Sequence, residues 1–351
     1  MSLALAGLFR VDASDLIDVA GRSGGTGNAY AQTRQALRAL GVRPKWILHT
    51  TVYVADARYL PDVDRAYRTF FGQEFPARTV LVAELLEPGA VVEISATTTR
   101  QTRRLFGNSF PASAAAEASG TLFLSALSGE GAGVEQQTDR LMRRQNEVLV
   151  MAGYSFADLV LSKIYLAEPA GYAALNEAYR RYVTAPPPAR ATIHAKPLRA
   201  GELLQVQSVA VRGSGAGRPS GAGITSPIHS YSVLGDSGMA APRLYITGMT
   251  GRMADGRFVP DLASQTRQAL AMISEQLERH RLAFANVVET TVWLREIGDA
   301  GPLMRLLPVA GARTIVGIPP SSPEALVEIQ MVAESLATRP PVSGAVRLRN
   351  R

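Results

Sequence analysis

The chain has 351 residues, 46% hydrophobic and 19% charged, the proportions of folded globular protein with two or three domains. It contains no cysteine, which removes disulfides, thiolate metal sites and cysteine nucleophiles, and its four histidines (His49, His194, His229, His280) are too scattered for a metal cluster. The formal net charge of +7 is spread without a basic helix or aromatic-interleaved stripe, which argues against nucleic acid, and no run approaches the roughly 18 apolar residues of a membrane span.

In chain order, MSLALAGLFRVDASD lacks the basic start and long apolar core of a secretory signal, so a cytoplasmic location is expected. LIDVA reads as a strand. Gly21-Arg22-Ser23-Gly24-Gly25 after it fits the G-x-S-x-G pattern of a hydrolase nucleophile elbow, but the equivalent SALSGE and TGMTGR later in the chain have the form of an ordinary strand-to-loop turn. AQTRQALRALG has helical spacing, TTVYVAD reads as a strand, and LPDVDRAYRTFF as a second helix. PARTVLVAELLEPGAVVEISATT reads as a hairpin turning near Pro88-Gly89. After a polar stretch at 100–119, the same order returns: LFLSAL, the helix EQQTDRLMRRQNEVLVMAG, YAALNEAYRRYV, and PPARATIHAKPLRAGELLQVQSVAV. Residues 212–226 (RGSGAGRPSGAGITS) form a Gly/Ser-rich linker and, lacking GK[ST], not a phosphate loop. RLYITGM, SQTRQALAMISEQLERHRL, ETTVWLRE and GARTIVGIPPSSPEALVEIQMVAE complete a third pass, whose second helix, GPLMRLLPVAG, is eroded by Gly301-Pro302 and Pro308.

The chain is thus a repeat of about 110 residues. Thr33, Thr138 and Thr266 open the first helix of each copy, and Tyr53, Tyr165 and Trp293 follow in the next strand after 20, 27 and 27 residues. The first copy is therefore short by seven residues, about two helical turns. Arg78, Arg190 and Arg313 come next, and Glu93, Gln205 and Glu328 each follow them by 15 residues. The expected organisation is α+β: copies at 1–104, 105–212 and 227–340, a linker at 213–226 and a basic tail at 341–351. Each copy reads as β-β-α-β-α-β-β, with helices on one face of a sheet.

QTR before a helix, TTVYVAD, AYRTFF, PART and VEISA together resemble the RidA/YjgF family of reactive-intermediate deaminases, three times over. The resemblance implies the YjgF-like (chorismate-mutase-like) fold. Members are typically homotrimers with active sites between neighbours, so three tandem copies imply an intramolecular pseudo-trimer: a monomer, with further association possible. Tethering raises the effective concentration of the copies and leaves each free to diverge. The implied reaction is hydrolysis of small 2-imino or 2-enamino acids to 2-keto acids and ammonia, needing no metal or organic cofactor and no nucleic-acid or membrane partner.

By the resemblance, Arg78, Arg190 and Arg313 match the arginine that binds the substrate carboxylate, a role suited to a planar, permanently charged guanidinium. Glu93 and Glu328 match its acidic partner, which orients and deprotonates water. Gln205 departs from it, since an amide holds water but cannot take its proton. Asn176 matches a site asparagine, replaced by Asp64 in the first copy; Tyr231 matches a site tyrosine, with Phe110 comparable in the second. Thr247-Gly248 keeps a small turn that becomes Ser125-Ala126 in the second copy and is indistinct near Ala20-Gly21 in the first. Taken alone, an arginine and a glutamate on paired strands read as a surface ion pair, Asn176 as helix surface and Tyr231 as packing. Threefold recurrence of the arginine favours function, with one or two competent clefts expected. Two other readings use the same architecture. One is a chorismatase-like or other biosynthetic enzyme on a small carboxylate, with Glu328 as general acid or base. The other is a carboxylate-binding pseudo-trimer without turnover.

Overall fold

The computed structural model describes residues 15–183, 186–214 and 228–335. The basic tail, most of the expected linker and the first residues of the first copy lie outside these. Three α+β units follow one another, each a sheet with two helices. Their first helices are α1 (Ala29–Ala39), α3 (Val134–Ala152) and α5 (Leu262–Arg279), and their second helices are α2 (Leu60–Phe71), α4 (Tyr172–Tyr179) and α6 (Ala300–Met304). At 11 residues against 19 and 18, α1 carries the deficit seen in the sequence, and the five-residue α6 is the eroded helix. No helix among the described residues is long and apolar enough to cross a membrane.

Sheet order corrects one expectation. Ala77–Val82 and Val92–Thr99 do not form a hairpin: Ile47–Val54 lies between them, parallel to the first and antiparallel to the second. The other units repeat this, with Leu159–Leu166 between Ala189–His194 and Leu204–Val211, and Val287–Leu294 between Ala312–Gly317 and Val327–Glu334. The second helix is the crossover that a parallel pair requires. Pro88-Gly89 bends a loop, not a two-stranded turn.

A buried glutamine fixes each unit. Gln32, Gln137 and Gln265, the Q of each helix start, donate to carbonyls of two loops and accept from the backbone N–H of Val91, Leu203 and Leu326 at 2.8–2.9 Å. Those N–H groups lie two residues before Glu93, Gln205 and Glu328, so the glutamine sets where the acid strand begins. The adjacent Thr33, Thr138 and Thr266 bond back onto their own first turns, each donating at 2.7 Å to the carbonyl four residues back.

Beyond the helix–sheet cores, two clusters join all three units. Tyr53, Tyr165 and Trp293 pack together with Leu81, Ile193 and Val316 at the pseudo-threefold axis. Leu48, Val160 and Val332 anchor a second cluster between the sheets. Burial of these faces explains why each sheet needs the others. The interior is not wholly apolar. Lys163 of the second unit lies 3.5 Å from Glu289 of the third and 5.9 Å from the Trp293 ring centroid. Arg243 of the third unit pairs with Asp18 of the first at 2.9 Å and with its own unit's Glu334 at 3.3 Å. Asp18, His49, Lys163, Arg243 and Glu289 line a small cavity of about 40 Å³.

Candidate active site

The arginine-bearing strand of each unit packs against the next unit: Ala77–Val82 on Ser113–Ala118, Ala189–His194 on Arg243–Ile246, and Ala312–Gly317 on Leu16–Ser23. Arg78, Arg190 and Arg313 are each the second residue of their strands, Ala77–Val82, Ala189–His194 and Ala312–Gly317. The backbone N–H of Arg78 donates to Ser125 Oγ at 2.8 Å and its carbonyl accepts from Ala126 N at 3.0 Å. Arg190 repeats this with Thr247 Oγ1 and Gly248 N, both at 3.1 Å. The small turn is therefore the docking point of the preceding unit. Three boundaries result, and they differ.

Between the second and third units, Arg190 is buried, its guanidinium centre 5.1 Å from the Tyr179 ring centroid and 5.6 Å from that of Tyr172. Its Nε–H donates to Thr192 Oγ1 at 2.9 Å, which turns the guanidinium; both Nη atoms are buried without a hydrogen-bond partner. Tyr179 is itself fixed, donating to Ser162 Oγ at 3.0 Å. Asn176, one helical turn before Tyr179, is buried with its Oδ1 unpartnered. Glu328 is 5% exposed, and burial pushes its carboxyl up to about 8, against the opposing pull of Thr192's backbone N–H and of Arg190. It is therefore largely protonated at neutral pH. Gly248 makes room for it, since a Cβ there would lie 1.9 Å from Glu328 Oε1. Tyr231 stands at the same boundary: its carbonyl accepts from Thr247 N at 2.9 Å, and its ring meets His229 edge-on at 5.8 Å. Burial, helped by Arg190, holds His229 down to about 4, so it is neutral near pH 7.

Between the first and second units, Arg78 is also buried and lies over Tyr67, 4.3 Å from its ring centroid, but Asp64 already occupies its Nη1 at 2.7 Å. Its polar neighbour is Gln205, which donates to Glu202 Oε1 at 2.6 Å. Phe110 is not in a site: it is 39% exposed, beneath Arg68, whose guanidinium is 4.0 Å from its centroid.

Between the third and first units, Glu93 is buried and pushed up to about 7 by burial, with Ser23 Oγ donating to it at 3.4 Å. Gly21 plays the part of Gly248, its Cβ position again 1.9 Å from the carboxyl oxygen. Arg313 lies on a strand packed against Leu16–Ser23, but no ion pair joins it to Glu93. It donates instead to the Pro308 carbonyl at 2.7 Å and is only half-buried. The truncated α6 supplies no tyrosine beneath it. Ser23 ends a strand and bonds a carboxylate, so the G-x-S-x-G match is no nucleophile elbow.

The candidate residues are thus brought together as Arg190, Glu328, Asn176, Tyr231 and Gly248 at one boundary, Arg78 with Gln205 at a second, and Arg313 near Glu93 at the third. Sequence reading missed the tyrosine platforms, although AYR occurs in both copies that have them, and it missed His229. Gly248→Ala is expected to push the Glu328 carboxyl aside and lower turnover by about 10²-fold. Steady-state kinetics check this, with Gly298→Ala, at an exposed position where an added Cβ meets nothing within 4 Å, as a control for general handling of the protein.

The family described as Endoribonuclease L-PSP matches residues 2–100, 110–212 and 224–335. "Protein DfrA" of Myxococcus xanthus is 36% identical over 78 residues, 22% of this chain and 60% of its own. "Reactive Intermediate Deaminase A, chloroplastic" of Arabidopsis thaliana is 30% identical over 108 residues, 28% of this chain and 58% of its own. The chain thus spans about 60% of the length of these curated relatives. A solved chorismatase structure superposes on 92% of this chain and 99% of its own with a TM-score of 0.57 at 14% identity, a likeness of fold.

Proposed function

Because the chain belongs to the Endoribonuclease L-PSP (RidA/YjgF) family and holds three copies of its domain as a single-chain pseudo-trimer, we propose that it is a hydrolase with one working cleft, between its second and third copies. Its substrate is a carboxylate whose α-carbon carries an enol ether, a chorismatase-like reaction. The observation that carries this reading is a buried arginine with both Nη groups unpartnered at the same boundary as a buried glutamic acid, whose carboxyl burial pushes up to about 8.

The chemistry follows from these groups. Arg190 takes the substrate carboxylate on its paired Nη–H donors, held flat against Tyr172 and Tyr179. Glu328 gives its proton to the terminal methylene carbon, and the positive charge appears on the α-carbon, shared with the ether oxygen. Water adds to that carbon and returns a proton to Glu328, leaving a hemiketal. The hemiketal C–O bond then breaks, its hydroxyl proton goes to the departing alkoxide, and an alcohol and a 2-keto acid leave. A weakly basic enol ether needs a general acid, which a protonated carboxyl supplies. The whole-chain likeness to a chorismatase supports room for such a reaction on this architecture.

The second reading, imine or enamine hydrolysis, is supported by the unit-level identity to a reactive-intermediate deaminase and by Asn176. It differs in the leaving group, which is ammonia. The test is to follow 2-keto acid and ammonia from chorismate and from freshly generated 2-iminobutyrate. Keto acid without ammonia from chorismate supports the first reading, and keto acid with ammonia from the imine supports the second. Buffer-level rates with both overturn hydrolysis.

A further inference from the structure

The boundary between the first and second units encloses an open cavity of about 260 Å³, below the roughly 300–1,000 Å³ of drug-sized ligand pockets. Its chemistry departs from that of the Arg190 cleft at two linked positions. Where the second unit has Asn176, the first has Asp64, so Arg78 carries a carboxylate on Nη1. Where the third unit has Glu328, the second has Gln205, already bonded to Glu202. Ala126 replaces the glycine that an inward carboxyl requires, which agrees with Gln205 turning away toward Glu202.

These changes do more than remove a catalytic acid. A guanidinium paired with an internal carboxylate attracts a lone anion poorly, because a second carboxylate must approach the first. The same pair side by side complements a molecule with adjacent opposite charges. Arg78 retains a buried Nε–H without a partner, and the Asp64 side chain is 32% exposed, which leaves its second oxygen open to a donor. Leu60, Val80, Pro111 and Leu198 supply apolar wall beside the pair, while Arg144 and Arg199 stay at the exposed rim.

We propose that this cavity binds the zwitterion of a free aliphatic α-amino acid without turning it over: its carboxylate on the free edge of Arg78, its ammonium on Asp64, and its side chain against Leu60 and Leu198. The site is separate from the Arg190 cleft, and its occupancy does not depend on the reaction proposed there.

The test is calorimetric titration of the full chain with L-leucine and with its two half-ligands, 4-methylpentanoate and 3-methylbutylamine. Leucine is expected to bind once per chain, at least about tenfold tighter than either half. Asp64→Asn should weaken leucine by about tenfold or more and tighten 4-methylpentanoate, an inversion that loss of folding cannot produce. Leu198→Trp should block both ligands, and Arg190→Ala should leave leucine affinity unchanged. The proposal fails if leucine, valine and isoleucine show no binding at about 10 mM. It also fails if wild-type protein binds 4-methylpentanoate as tightly as leucine, or if leucine binding is lost in Arg190→Ala but kept in Asp64→Asn.

Discussion

Arg190→Ala is expected to lower kcat/KM by about 10²–10³-fold, while Arg78→Ala and Arg313→Ala stay within about twofold of wild type. The magnitude follows from losing a charge-assisted, two-point hold on the substrate in a desolvated site, worth about 3–4 kcal/mol. The asymmetry follows from what each guanidinium already touches. Arg190 has both Nη groups free of partners, Arg78 is committed to Asp64, and Arg313 is bonded to a backbone carbonyl with no aromatic platform. Arg190→Lys should recover only part of the loss, because an ammonium keeps the charge but not the planar fork that stacks on Tyr179. Keto-acid release under steady state measures all four variants. Loss of activity in Arg78→Ala alone would move the working cleft to the first boundary and sink the assignment.

Glu328→Gln is expected to lower kcat by about 10²–10⁴-fold with KM little changed, since the amide fills the same space and keeps the dipole but has no proton to give. The pH profile separates acid from base. If Glu328 donates, the wild-type rate is high at neutral pH and falls as pH rises through about 8, where the carboxyl ionises; a base would give a rise over the same range. Stability carries the same signature. Glu328 is raised above the ordinary 4.5, so between about 4.5 and 8 the folded chain keeps a proton that the unfolded chain has lost. Wild-type stability therefore decreases as pH rises through that window, and Glu328→Gln, uncharged throughout, should lose this component. Thermal unfolding at pH 5 and pH 9 should show Glu328→Gln gaining on wild type at the higher pH by on the order of 5 °C. Glu93, raised to about 7 at another boundary, keeps its own share of the slope in both proteins.

What was legible in the sequence was whatever local spacing encodes. The seven-residue deficit before Tyr53 reappears as a short α1, and the Gly-Pro and proline residues after Asp299 reappear as a five-residue α6. Non-local pairing was not legible. Pro88-Gly89 carries a turn signal that belongs to a loop, because the neighbour of each flanking strand lies some 30 residues or more away in Ile47–Val54. The constant interval from arginine to acid within a copy likewise hides the spatial pairing, which places Arg190 near the Glu328 of another copy. Gln32, Gln137 and Gln265 stood in plain view as part of a motif, yet their task of tying a helix start to the acid strand depends on loop carbonyls that only the fold brings near.

Lys163 and Glu289 draw a further consequence from covalent fusion. In a ring of identical subunits every residue beside the axis appears three times, and a charge placed there faces two more of its own sign. Here the positions equivalent to Lys163 are Thr51 and Thr291, and those equivalent to Glu289 are His49 and Leu161. Each copy brings a different chemical label to the centre, and only one cyclic arrangement lets lysine meet glutamate and Arg243 meet Asp18. The order of the three copies is thus addressed from inside the molecule as well as by the peptide that connects them. A copy that lost its label would be seated by the connecting peptide alone.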